Sequence, residues 1–197
     1  MLVALNLETI NNTAKKYKND RLIGILIARY DTNKDLIAPN YELWNSLTGK
    51  HLDVFLAGYG SYISPDETND RKKIIEFTEP NVNRVYFDTD AFVSIIRKLE
   101  QNVKKYNFKD TSPVLILLNV KNGKIIWKEN LVVALMNDKK PVPFSMNSIM
   151  TKVSKLTEKY NSIYEISNEL TFHSINAKHS LPEISISDLF TLITSII

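Results

Sequence analysis

The residue types that invite chemistry stand together in one stretch, residues 52–66, which reads LDVFLAGYGSYISPD. An apolar run over 54–57 stops abruptly at Gly58, Tyr59 and Gly60, with Tyr62 close behind. Glycine permits positive φ and close backbone approach. Main-chain amides turned outward at such a bend form a concave nest for an anion. An earlier apolar run, LIGILIARY at 22–30, ends in Arg29 with Asp31 beyond it. If the two runs are parallel strands, both ends share one rim, and ligands of open α/β sheets bind beyond the carboxyl ends of strands. A guanidinium, two tyrosine hydroxyls and exposed amides suit a phosphate or carboxylate. The expected ligand-binding set is therefore Arg29, Asp31, Gly58, Tyr59, Gly60 and Tyr62. The competing reading makes 58–60 a tight exit turn, the tyrosines caps on the core, and Arg29–Asp31 a rim ion pair of small worth.

Other constellations carry less. Gly58 and Gly60 begin no complete Gly-x-Gly-x-x-Gly, and no Lys-Ser/Thr follows them. Asp88-Thr89-Asp90 has the look of a metal-binding Asp-x-Asp. It stands directly before an apolar-periodic stretch, where Asp and Thr cap helices and acids favour the positive helix end. Glu76 and Glu79 have no fixed geometry with it. His51, His173 and His179 lack metal-ligand spacing, and there is no Gly-x-Ser-x-Gly. With no cysteine in the chain, thiolate nucleophiles, disulfides and thiolate metal sites are excluded. No catalytic residue, metal or cofactor is expected.

The elements that must position these residues follow from periodicity. Leu7, Ile10, Ala14 and Tyr17 share a helical face over 7–18, which ends in lysines. Residues 22–30 form a strand buried on both faces. Pro39 and Gly49 bracket a short helix over 39–48. Residues 52–57 form the central strand. The connection 61–81 is long for a compact domain, with a short strand inside it near Ile74–Phe77. Residues 84–87 are a further strand and 89–106 a helix with a basic outer face. The run 114–120 is a strand, Asn122-Gly123 a hairpin turn, and 124–130 the return strand, extending toward Leu135. A charged, proline-containing linker over 138–143 divides the chain into a core, 1–140, and a C-terminal helical extension, 141–197.

That extension carries the second informative feature. Apolar residues at Met146, Ile149, Val153, Leu156, Tyr160, Ile163 and Leu170 alternate by threes and fours as one seam, with Ser167 in the one missing step. A second helix over 185–197 presents Leu189, Phe190 and Ile193 on one side. The expected partner-binding set is Ile149, Val153, Leu156, Tyr160, Ile163, Leu189, Phe190 and Ile193, serving another protein chain or self-association. The alternative is that the seam packs on the chain's own sheet.

The order of elements is similar to the thioredoxin-like fold. Ser112-Pro113 before the strand Val114-Leu115-Ile116-Leu117 resembles that family's proline, usually cis, before a core strand. The Asn122-Gly123 hairpin and the helix over 146–170 resemble its antiparallel hairpin and final helix. The resemblance spans roughly 20–165. It implies an α/β fold: a thioredoxin-like central mixed sheet flanked by helices, with the C-terminal helical extension. The family's redox Cys-x-x-Cys directly follows the second strand, which on this count is 58–64, GYGSYIS. No thiol is there, so thiol–disulfide exchange is excluded. A shorter resemblance, Asp53-Val54-Phe55-Leu56-Ala57-Gly58, is to the first strand and turn of nucleoside deoxyribosyltransferases. It implies a nucleotide at the same rim.

Composition bounds the rest. The 197 residues, 44% hydrophobic and 24% charged, are those of an ordinary globular chain. A net charge of +3 argues against nucleic acid as the partner. The N-terminus lacks the features of a signal peptide and no apolar run spans a bilayer, so a cytoplasmic, membrane-free protein is expected. The leading expectation is a non-catalytic binding or adaptor subunit in a larger bacterial-type assembly. The alternative is a sensor or enzyme for a nucleotide or other anionic ligand.

Overall fold

The computed structural model describes residues 1–62, 73–75, 84–103, 108, 113–135, 146–173, 175 and 177–180. The fold is mixed α/β. Its elements run β1 (Leu2–Ala4), α1 (Leu7–Ala14), β2 (Arg21–Ile27), α2 (Tyr30–Ser46), β3 (Leu52–Ala57), β4 (Tyr59–Tyr62), β5 (Lys73–Ile75), β6 (Arg84–Phe87), α3 (Thr89–Asn102), β7 (Val114–Lys121), β8 (Lys124–Ala134), α4 (Met146–Lys159), α5 (Ile163–Phe172) and β9 (Ala177–Ser180).

The main sheet has six strands in the order β1-β3-β2-β7-β8-β9. β1, β3 and β2 are mutually parallel. β7, β8 and β9 continue the sheet antiparallel. The apolar runs of β2, β3 and β7 lie at its centre and are buried nearly throughout, as strands covered on both faces should be. Asn122 at φ 51° and Gly123 at φ 72° make the tight β7–β8 turn, the left-handed pair that a two-residue hairpin needs. A second sheet, β4-β6-β5, is antiparallel.

Several elements differ from the expectation, three of them around the sheet and its covering helices. The first is α2, which does not begin at Pro39. It starts at Tyr30, bends at Asn33 (φ −130°, ψ 15°) and carries Pro39 inside it. The second is the 146–170 seam, which is not one helix. It breaks after Lys159, and Ser162 caps α5 by accepting from the Glu165 amide at 3.5 Å. The third is the N-terminal run, which adds β1 as the edge strand beside β3. The helix expected over 185–197, the 138–143 linker and most of the 61–81 connection lie outside the described residues.

One hydrophobic cluster joins both sides of residue 140. It includes Ile23, Phe55, Trp44 and Leu117 together with Met146, Ile149, Val153, Leu156, Ile163 and Leu170. Polar bonds reinforce the junction. The buried Trp44 donates Nε1–H to Asn147 Oδ1 at 2.7 Å, Asn147 donates to Asn40 Oδ1 at 2.6 Å, and Ser154 donates to the Leu47 carbonyl at 2.6 Å. The seam is thus spent on this chain's own core. That corrects the partner-binding expectation for Ile149, Val153, Leu156 and Ile163, each buried. Burying such a side chain is worth about 1.5–3 kcal/mol, which an exposed seam would forfeit. Tyr160 stays half-exposed. Leu189, Phe190 and Ile193 lie outside the described residues.

Candidate functional site

Parallel pairing brings the carboxyl ends of β1, β3 and β2 to one edge of the sheet, at Ala4, Ala57 and Ile27. Ile27 pairs with Val114, so Pro113 at the start of β7 faces the same edge. The rim expected from sequence is therefore assembled. The groups on it, however, are largely committed to holding the fold.

Gly58 has φ +81°. Its amide donates to the Ala4 carbonyl at 2.8 Å, and its carbonyl accepts from the Asp88 amide at 2.8 Å. A Cβ there would lie 2.6 Å from Phe92 Cβ. Gly58 is thus the pin between β1, the end of β3 and the start of α3. Its amide has no freedom to cradle an anion. Gly60 sits in β4 opposite Tyr86, and a Cβ there would lie 2.4 Å from Tyr86 Cζ. The ring covers the glycine, which explains the residue without a ligand. Asp88 caps α3, accepting from the Ala91 amide at 3.0 Å, so it acts as the helix cap that its position suggests.

Tyr59 is fully buried. Its hydroxyl donates to the Ala28 carbonyl at 2.9 Å, and its ring stacks tilted on Phe87 at 5.0 Å between centroids. Burial, with lesser contributions from Tyr30 and Asp31, pushes its pKa well above the ordinary tyrosine value. The residue fastens the small sheet to the end of β2. The ligand roles expected of Gly58, Tyr59 and Gly60 are corrected accordingly: the hydroxyl and the amide already have partners inside the protein. For Tyr62 only the backbone is described, paired with Arg84.

Arg29 and Asp31 stay on the surface of the same rim. Arg29 Nε lies 3.4 Å from Asp31 Oδ2, and the arginine side chain is 42% exposed. Arg29 is also the N-cap of α2, without a side-chain capping bond. Its carbonyl accepts from Thr32 Oγ1 and from both the amide and Nδ2 of Asn33, which is itself buried. Sequence reasoning missed this bent first turn, because the helix was expected to start nine residues later. The chemistry the rim retains is electrostatic: a guanidinium at a positive helix end, with a carboxylate beside it.

Asp53, the first residue of the nucleotide-enzyme-like stretch, lies at the opposite end of β3. It accepts from Tyr17 OH at 2.5 Å and pairs with Arg21 Nη2 at 3.4 Å. Burial first, then the Asp53 bond and charge, raise the Tyr17 pKa. β3 is also the third strand rather than the opening one, unlike its counterpart in those enzymes. Among the described residues no group of three or more His, Asp or Glu is arranged to hold a metal ion. No described helix is long and apolar enough to cross a membrane.

No protein-family model, curated protein or solved structure matches the chain.

Proposed function

We propose that the chain is a non-catalytic, thioredoxin-like binding or adaptor subunit, acting by protein–protein contact within a larger bacterial-type assembly in the cytoplasm. The reading draws support from the parallel β-α-β half followed by an antiparallel Asn122-Gly123 hairpin and closing helices. β1 moves the count of strands by one. The position directly after the second strand is then 28–33, ARYDTN, beside Pro113, rather than 58–64. Neither position holds a thiol. The observation that carries the non-catalytic reading is the missing thiol at 28–33, joined by the commitment of the 58–60 turn, whose amide, carbonyl and phenol are each bonded within the protein. Light scattering on the purified chain, with and without residues 185–197, tests the adaptor role. A strict monomer from which no partner is recovered, whether or not residues 185–197 are present, would sink it.

A second reading keeps a small anion at the first turn of α2. The uncapped N-terminus at Arg29 and that residue's exposed guanidinium favour it. Its signature is a phosphate-dependent rise in melting temperature that Arg29→Ala removes.

A further inference from the structure

With the seam buried, the outer face of α5 becomes the conspicuous apolar surface of the C-terminal helices. Phe172 is 84% exposed and Tyr164 51%. Positions 164, 168 and 172 are four apart, so they form one stripe on the helix. The buried face of α5 is a different one, Ile163, Ile166, Ser167 and Leu170, so the outer stripe contributes nothing to the core. Along α5, from Tyr160 at the junction with α4 to Phe172 at its last turn, lies a groove of about 480 Å³, lined by Tyr160, Glu165, Asn168, Glu169 and Phe172. Two of its walls are aromatic; of its polar groups Asn168 is neutral and Glu165 and Glu169 are acidic, with Glu169 Oε2 already 3.9 Å from His173 Nε2.

An ammonium group of this chain already stands against one of the lining rings. Lys159 Nζ lies 4.7 Å from the centroid of the Tyr160 ring, within the range where a cation is attracted to the ring face. Tyr160 first, then Glu169 and Glu165, hold the lysine's pKa above its usual value. Tyr160 is itself steadied by donating to Glu169 Oε1 at 3.0 Å. Lys159 shows that the Tyr160 ring face accepts a cation on a flexible aliphatic stem.

We propose that this groove docks a basic amphipathic segment of a partner protein, its apolar side chains on Phe172 and a Lys or Arg reaching Glu165, with the field of Glu169 beside it. The proposal rests on the binding-subunit reading and names the surface and the partner chemistry. Charge selects this occupant over two others. Residues 181–197 contain Glu183 and Asp188 and no Lys or Arg, so the chain's own tail brings like charge to Glu165 and Glu169. A second copy packed two-fold on this face would oppose acid to acid.

The test uses the full chain and two fluorescein-labelled helical peptides, one with Leu at helical spacing and Lys between, the other with every Lys replaced by Glu. Fluorescence anisotropy should give at least about tenfold tighter binding of the Lys peptide. Phe172→Ala should weaken it by about tenfold, the loss that marks a central contact. Paired Glu165→Gln and Glu169→Gln should also weaken it and flatten its salt dependence. Leu43→Ala, at an exposed leucine elsewhere, should change nothing. Equal binding of the two peptides, or indifference to Phe172→Ala, overturns the proposal. So does tighter binding after paired Leu189→Asp and Phe190→Asp, which would identify the tail as the occupant. A dimer that Phe172→Ala dissociates would identify a second copy instead and likewise overturn it. Should the peptides fail while the chain still recovers a partner with Phe172→Ala in place, the groove is refuted and the binding-subunit reading stands.

Discussion

At the scale of single residues, the turn 58–60 is dense in groups that read as a ligand site and are used as fasteners. Gly58→Ala puts a Cβ at positive φ and 2.6 Å from Phe92 Cβ, so it should cost about 2–4 kcal/mol from backbone conformation plus overpacking. Urea unfolding checks it. Tyr59→Phe keeps the ring on Phe87 but strips the Ala28 carbonyl of its donor. It should cost about 1–3 kcal/mol, the range for an unsatisfied buried polar group. The same phenol sets an alkaline limit. Its folded pKa, like that of Tyr17, is raised above the ordinary value of 10.0. The folded state therefore holds protons that the unfolded state releases once pH exceeds that value, and stability falls as pH rises further. Stability measured at successive pH values above neutrality should decline on the alkaline side, and Tyr59→Phe should make the decline shallower. An unchanged slope in that variant would contradict the burial of this hydroxyl.

At the scale of elements, much of the sheet was legible. β3, β6, the Asp88 cap and the Asn122-Gly123 turn stand where periodicity and turn chemistry put them. What escaped did so for physical reasons. β1 is three residues long, too short for alternation to register, although Asn6, whose side chain accepts from the Thr9 amide at 2.9 Å, marks a helix start just after it. β9, Ala-Lys-His-Ser, draws its strand conformation from the edge of β8 rather than from its own residues. The seam over 146–170 keeps its 3-4 period across a break, because both helices bury the same side of the chain. The sign of the break was Ser162-x-x-Glu165, a capping-box spacing inside an otherwise continuous pattern. Pro39 was read as a helix start because that is its commonest helical position, yet α2 accepts it in its interior. Ser162→Ala should destabilise by about 0.5–2 kcal/mol, the usual worth of an N-cap. Circular dichroism during thermal unfolding measures that loss.

At the scale of the whole molecule, α4 and α5 belong to the core rather than hanging from it. Trp44, Asn147 and Asn40 form a bonded chain across the junction, and a single apolar cluster continues through it. Tryptophan fluorescence and far-ultraviolet dichroism should therefore report one coincident unfolding transition. An early tryptophan transition would mean that α4 detaches first. The candidate site was legible as a place but not as a role. The sequence identifies the rim by strand ends and glycines. Only the geometry reveals that Gly58 and Tyr59 are bonded inward and that Phe172 faces outward. The proposed working surface lies on α5 and not at the rim. An amide chemical-shift map of the full chain, titrated in turn with the basic amphipathic peptide and with inorganic phosphate, tests it most directly. Peptide-induced shifts along 160–172 and no phosphate-induced shifts over 29–33 are expected; saturable phosphate shifts at 29–33 with a silent α5 would overturn that assignment.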